Sequence, residues 1–243
     1  MKESLLAVIL ILFIVSTSSA TTMSRKKFKC SVCNTEHDYP VITSTNAFGA
    51  ADLDLRPPEM QRSTMRLWVQ ECPECGYVSS EISDKSEIDS EVLKSLLKSE
   101  EYLSCEGINF KSELAKRFYR VYMIQIREGN VRGAMFALLH SAWSCDDAND
   151  KDNARICREK AIPLAAKLAG AGLYYSENIN MIRADMMRRA GQFEELIMEY
   201  ESVKMKGDAR NDPEILNKVL RFQIERAKEH DDKCYTVRDA LKE

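Results

Sequence analysis

Apolar and polar residues follow two different spacings along this 243-residue chain, and the change occurs near Ser83. Before it, short β-prone pieces alternate with turn formers, and the clearest strand candidates are residues 39–43 and 66–70. The stretch from 46 to 64 contains glycine and two adjacent prolines and is predicted to be irregular. These features predict a small β unit over residues 24–83.

From residue 84 onward, apolar residues recur three and four positions apart, which is typical of amphipathic helices. We predict helices that begin near residues 86, 112, 131, 150, 177, 193 and 212, with a short one from Val237. Ser86, Ser112 and Asp212 are candidate N-caps, and Pro163 is expected to kink or break its helix. The predicted fold is therefore mainly α, with a helical domain over residues 84–243.

Two turns between predicted helices have similar sequences, which indicates an internal repeat. Gly129-Asn130-Val131 and Gly191-Gln192-Phe193 each place an apolar residue two positions after the glycine. Further apolar residues follow three and then four positions later, a spacing that resembles the turn of a tetratricopeptide repeat. We therefore predict tetratricopeptide-like antiparallel helical hairpins. Because the two glycines lie further apart than the roughly 34 residues of a regular array, a plain helical bundle remains the alternative.

Half of the eight cysteines form two short pairs, Cys30-x-x-Cys33 and Cys72-Pro-x-Cys75-Gly76. A tight turn at each pair directs both sulfurs at one ion, and four thiolates complete a tetrahedral zinc ribbon site. Gly76 permits the positive φ that such turns often need. Because a four-sulfur shell leaves no open coordination position, the site is predicted to be structural rather than catalytic.

Alternatives to a zinc site remain open at this stage. Iron in a rubredoxin-like cage would use the same four thiolates. Two independent pairs of free or redox-active thiols are another interpretation, and His37 is a candidate substitute ligand. The pairs are also further apart than the usual roughly 15–20 residues, so the segment between them is expected to have structure of its own.

The remaining cysteines and histidines are predicted to be structural. Cys105, Cys145, Cys157 and Cys234 are scattered singly, and a chain this long and helical does not need a disulfide framework. His140 lies on an apolar helix face, which predicts a core or rim position rather than a ligand.

The N-terminus begins with an apolar run over residues 5–15. Three interpretations of residues 1–22 remain open: a cleaved signal peptide, a short membrane anchor, or an upstream extension of a chain that starts at Met23. A basic cluster follows at Arg25, Lys26, Lys27 and Lys29. That cluster and the thiols favour a cytoplasmic location. Membrane anchoring or export through this segment is the alternative.

Several stretches are distinctive as sequence. They are residues 44–49, 52–59, 68–77 and 142–147. Together they resemble the bacterial domain of unknown function 2225 family, and the resemblance covers nearly everything after Met23. It implies a four-cysteine zinc-ribbon-like unit joined to tetratricopeptide-like helices, with Cys30, Cys33, Cys72 and Cys75 as metal ligands. It implies no particular reaction.

Composition and motifs favour a binding protein over an enzyme. The net charge of −3 is not that of a general nucleic-acid binder. We therefore predict a non-enzymatic adaptor that binds a protein partner through its helical domain. The stretch from Asp52 to Arg66 is a candidate contact loop. In the alternative, it is a capping segment in which Arg56 pairs with Asp52 or Asp54.

Two other functions are kept as alternatives. The basic cluster together with Phe28 would allow a nucleic-acid-associated ribbon to contact phosphates and a base. An enzyme would need a site such as the acidic cluster near Trp143. That cluster is Asp146, Asp147, Asp150 and Asp152. Because no calcium-loop glycine accompanies these acids, we interpret them as a helix end and a solvated loop.

Overall fold

The computed structural model describes residues 21–171, 176–206 and 212–242. The predicted leader, residues 1–22, lies outside the described residues up to residue 20, and Thr22 begins the first strand. Among the helices that are described, none is both long enough and apolar enough to cross a membrane.

The N-terminal β unit consists of two antiparallel hairpins, and each hairpin turn carries one cysteine pair. The strands are β1 (Thr22–Lys29), β2 (Glu36–Ser44), β3 (Gln70–Glu71) and β4 (Val78–Ser79). The predicted strand at 39–43 is confirmed within β2. The one predicted at 66–70 is largely wrong, because Met65–Leu67 forms a 3₁₀ turn. Met65 and Val69 are buried four positions apart, which fits a helical turn better than an extended strand.

Helices make up most of the remaining chain. They are α1 (Glu59–Arg62), α2 (Ser90–Lys98), α3 (Glu100–Leu103), α4 (Glu113–Arg127), α5 (Val131–Asp147), α6 (Lys151–Gly170), α7 (Ser176–Arg189), α8 (Phe193–Tyr200), α9 (Pro213–Lys228) and α10 (Val237–Lys242). The predicted class, mainly α with a small β unit, is confirmed. The tetratricopeptide-like repeat stays a prediction.

Side-chain caps explain where several helices begin. The Ser112 hydroxyl accepts from the backbone N–H of Ala115, and Asp212 accepts from that of Glu214, so both predicted caps are confirmed. The prediction of Ser86 as a cap is wrong. Asp89, directly before α2, accepts two backbone N–H bonds there, while the Ser86 hydroxyl donates to Glu128. Pro163 does not break α6, which continues through it.

The helices pack in sequence, α4 on α5, α5 on α6 and α6 on α7, and α9 covers α7 and α8. One continuous cluster of buried apolar side chains extends from Cys30 and Tyr39 in the β unit to Ala240 in α10. The β unit and the helices therefore share a hydrophobic core, and burial of each stabilises the other.

Candidate metal centre

The two hairpin turns bring four cysteine sulfurs to one point. The sulfurs of Cys30 and Cys75 are 3.7 Å apart, and those of Cys33 and Cys72 are 3.5 Å apart. All four sulfurs lie within 4.8 Å of one another. A regular tetrahedron with zinc–sulfur bonds of about 2.3 Å has sulfur–sulfur edges of about 3.8 Å. The thiols are free, so the arrangement fits a four-thiolate metal site.

Both turns have the same backbone hydrogen bonds. In the first, the Cys30 N–H donates to the Thr35 carbonyl at 2.9 Å, and the Asn34 N–H donates to the Cys30 carbonyl at 2.9 Å. In the second, the Cys72 N–H donates to the Tyr77 carbonyl at 2.8 Å, and the Gly76 N–H donates to that of Cys72 at 2.9 Å. The turns are thus two copies of one knuckle.

Each knuckle needs a left-handed residue directly after its second cysteine. Gly76 has φ = 72° and Asn34 has φ = 63°. The sequence reasoning identified Gly76 but missed Asn34. Asparagine is among the non-glycine residues most often found in this region, so Asn34 following Cys33 was the available signal.

The electrostatics of the cluster favour a bound cation. Burial raises the pKa of the Cys72 and Cys75 thiols, although backbone N–H groups donate to both sulfurs. Burial also opposes ionisation of Cys33, but hydrogen bonding with Thr35, Cys72 and Cys75 outweighs it and lowers the pKa of Cys33 to about 7. Four thiolates this close repel one another, and a divalent cation between them offsets that repulsion.

Helical residues hold the second knuckle in place. The Tyr102 hydroxyl on α3 donates to the Gly76 carbonyl at 2.8 Å. The Glu71 carboxylate, one residue before Cys72, accepts from Arg117 at 2.8 Å and from Arg120 at 3.1 Å. The position of the sulfurs is therefore coupled to α3 and α4.

The histidines do not join the four-sulfur group. His37 Nε2 lies 4.0 Å from the Glu74 carboxylate. The His140 ring contacts Trp68 and Trp143, with centroid distances of 5.3 and 5.0 Å. Burial lowers the pKa of His140 to about 4, although Asp54 opposes this shift, so the imidazole is neutral near pH 7.

The predicted helix end near Trp143 is confirmed, because α5 ends at Asp147, but the predicted solvated loop is wrong for Asp146 and Asp150. Asp146 accepts from Arg158 at 2.5 Å and from Arg189 at 2.7 Å. Asp150 is buried and accepts from the Lys111 backbone at 2.9 Å. Because these oxygens already have protein donors, they have little capacity left for a cation.

The polar residues at the start of the predicted contact loop are buried as well, whereas Arg66 at its end is exposed. Asp52, Asp54 and Arg56 are at most 4% exposed. Asp54 accepts from the Trp143 indole at 2.6 Å and from Arg189 at 3.0 Å. The Arg56 side chain pairs with Asp147 at 2.5 Å rather than with Asp52 or Asp54 as the alternative predicted. These residues lie inside the fold, so they are not available to a partner.

The C-terminal end of the chain pairs with the same segment. The Leu53 N–H donates to the Tyr235 carbonyl, and the Val237 N–H donates to the Ala51 carbonyl, both at 2.9 Å. An isolated antiparallel bridge joins Asp52 to Thr236. The segment is therefore held between the C-terminal residues and the helices that carry Trp143 and Arg189.

Substitution of Gly76 by alanine tests the knuckle geometry. A Cβ at Gly76 would meet no atom within 4 Å, so the cost comes from the positive φ alone. We expect Gly76→Ala to lower the free energy of unfolding by about 1–2 kcal/mol in urea titrations of the metal-loaded protein. Gly170 also has open space but no positive φ, so Gly170→Ala is the matched control and should not destabilise. Equal effects of the two changes would contradict the knuckle argument.

Comparisons of this chain with protein-family models, curated proteins and solved structures found no match. The resemblance to the domain of unknown function 2225 family therefore stays a prediction. A functional assignment must be argued from the residues described above.

Proposed function

We propose that this protein is a zinc-stapled, non-enzymatic adaptor that binds a protein partner. The observation that carries the proposal is the closed set of four sulfurs within 4.8 Å. Cys30, Cys33, Cys72 and Cys75 supply a complete tetrahedral shell, which leaves no coordination position for substrate or water. Zinc in such a shell contributes to folding, and iron in the same cage is the alternative.

The surroundings of the site support a structural role. Tyr102 and the pair Arg117–Arg120 tie the second knuckle to the helices. A metal that orders the knuckles would therefore also order the contact between the β unit and α3 and α4. A thiolate site of this kind is stable in a reducing compartment, and we propose the cytoplasm as the place where the protein works.

The helical domain offers a surface for a partner. A groove of about 500 Å³ lies between α8, the residues that follow it, and α9. Tyr200, Val203, Leu220 and Ile224 contribute to its walls. Concave surfaces between packed helices bind peptides in other helical proteins, and this groove supports the adaptor proposal.

The nucleic-acid alternative has weaker support. Phe28, the aromatic residue of the basic cluster, packs on Tyr39 with 6.2 Å between ring centroids. Lys27 lies 3.6 Å from the Glu36 carboxylate, and Asp38 lies opposite Lys27 on β2. The cluster therefore has acidic neighbours, and its aromatic ring is engaged in the fold.

Native mass spectrometry and cross-linking together test the adaptor function. We expect the full chain to carry one zinc ion, and partner cross-links made in host cells to disappear when zinc is removed by a chelator. The Cys72→Ser variant should lose the same cross-links. A chain without stoichiometric metal, or cross-links that are unchanged by chelation, would overturn the proposal.

A further inference from the structure

A cavity of about 240 Å³ lies beside the second knuckle, between β2, the 3₁₀ turn and α4. Tyr39, Pro40, Leu67 and Val69 form much of its wall, and Pro73 of the knuckle closes one side. Arg66 and Arg117 also line it. Whole small molecules usually occupy pockets of about 300–1,000 Å³. This cavity is therefore the size for one or two side chains of a larger ligand.

Tyr39 lines this cavity and carries an unpaired polar group. The residue is 7% exposed, and its hydroxyl oxygen is buried without a hydrogen-bond partner among the described residues. A buried hydroxyl in that state costs about 1–3 kcal/mol. An unsatisfied polar group in a folded protein calls for a physical reason. A ligand that accepts a hydrogen bond from the hydroxyl supplies one.

Two arginines and one carboxylate, Glu71, line the same cavity, which leaves it with a net positive charge. Arg66 is exposed, and within the described part of the chain its guanidinium forms no ion pair and contacts the Met23 sulfur at 4.0 Å. Arg117 donates through Nε to Glu71, which Arg120 also contacts. One carboxylate is thus shared by two guanidinium groups, and Arg66 adds a further positive charge.

We propose that this cavity binds a carboxylate side chain on an extended segment of the protein partner. Arg66 and the outer nitrogens of Arg117 pair with the carboxylate, and the Tyr39 hydroxyl donates to it. Leu67, Val69 and the two prolines contact the apolar neighbours of that side chain. Guanidinium groups are well suited to carboxylates because they donate from a planar fork.

This assignment rests on the adaptor function and adds the chemistry of the partner. It also gives the metal a role in recognition. Pro73 lies between Cys72 and Cys75, so the wall of the cavity depends on the folded knuckle. Removal of the metal is therefore expected to abolish carboxylate binding even where the helices stay folded.

Fluorescence anisotropy with a fluorescein-labelled peptide of Leu-Pro-Glu repeats tests the site on the full, zinc-loaded chain. The peptide should bind, and the matched Leu-Pro-Gln peptide should not. Arg66→Ala and Tyr39→Phe should each weaken binding about tenfold. The Tyr39→Phe variant should melt no lower than the unmodified protein, since the lost hydroxyl has no partner among the described residues and its burial is costly. Arg238→Ala, at an exposed arginine outside the cavity, is the control and should leave binding unchanged.

Several outcomes would overturn this site. They are equal binding of the glutamate and glutamine peptides, no binding of either, or unchanged affinity in both variants. Displacement of the peptide by inorganic phosphate at equal concentration would point to a phosphate ligand instead. Partner cross-links that persist in Arg66→Ala would reject the cavity but leave the adaptor function standing. If the unmodified, zinc-loaded protein formed no metal-dependent cross-links at all, both the cavity and the adaptor function would be rejected.

Discussion

Replacing Cys72 by serine is expected to eliminate stoichiometric metal binding and to unfold the N-terminal unit. Cys72 is fully buried and its sulfur lies 3.5 Å from that of Cys33, and among the described residues only Cys30, Cys33 and Cys75 join it in the cluster. Structural zinc contributes about 10–16 kcal/mol in small zinc-dependent domains at neutral pH, and a three-ligand site keeps only part of this. Elemental analysis should find less than one zinc per chain, and circular dichroism should show a lower melting temperature.

The control for this change is Cys234→Ser, at a free and exposed cysteine outside the four-sulfur group. That variant should keep both its metal and its melting temperature. If Cys72→Ser retained one zinc per chain and melted like the unmodified protein, the four-cysteine site would not be what stabilises this fold.

Asp54→Ala is expected to be the most destabilising change outside the metal centre. The Asp54 carboxylate is fully buried and accepts from both Trp143 and Arg189. Its removal leaves a guanidinium that is itself 93% buried with Asp146 as its remaining acidic partner. Breaking a buried pair from one side costs about 3–5 kcal/mol, because the remaining charge stays out of water. Urea unfolding monitored by tryptophan fluorescence measures this loss.

Two further variants separate the charge from the packing. Adding Arg189→Met to Asp54→Ala should recover part of the lost stability, because the unpaired charge is then gone. Asp232→Ala, at an exposed carboxylate, should change the free energy of unfolding by less than about 0.5 kcal/mol. An Asp54→Ala effect as small as that of Asp232→Ala would show that the buried network contributes little.

The four clustered cysteines could be predicted from sequence because each pair lies within one short turn. Cys30 and Cys33, like Cys72 and Cys75, sit in short turns whose geometry depends on few neighbours. The same holds for the caps at Ser112 and Asp212, where one side chain bonds a backbone N–H two or three residues later. The mainly α class followed from apolar spacing within single helices.

The charged network was missed because its partners are far apart in sequence. Asp54 is 89 positions from Trp143 and 135 from Arg189, and no spacing rule connects them. The acidic residues by themselves predicted a solvent-exposed loop. The arginines that pair with the buried carboxylates lie on other helices, so the local sequence does not reveal them. The orphan hydroxyl of Tyr39 is likewise a property of the packed structure and has no signature in the strand pattern.

The pairing of residues 51–53 with residues 235–237 has a consequence for synthesis on the ribosome. The four cysteines of the candidate metal centre emerge early, so a nascent chain that binds a metal there could do so while most helices are still untranslated. Asp52 and Asp54, however, remain exposed to solvent until Arg189 and residues 235–237 have left the exit tunnel. This segment is thus translated before Arg189 but buried only after it, and a chain that ended prematurely would expose the acidic stretch to proteases.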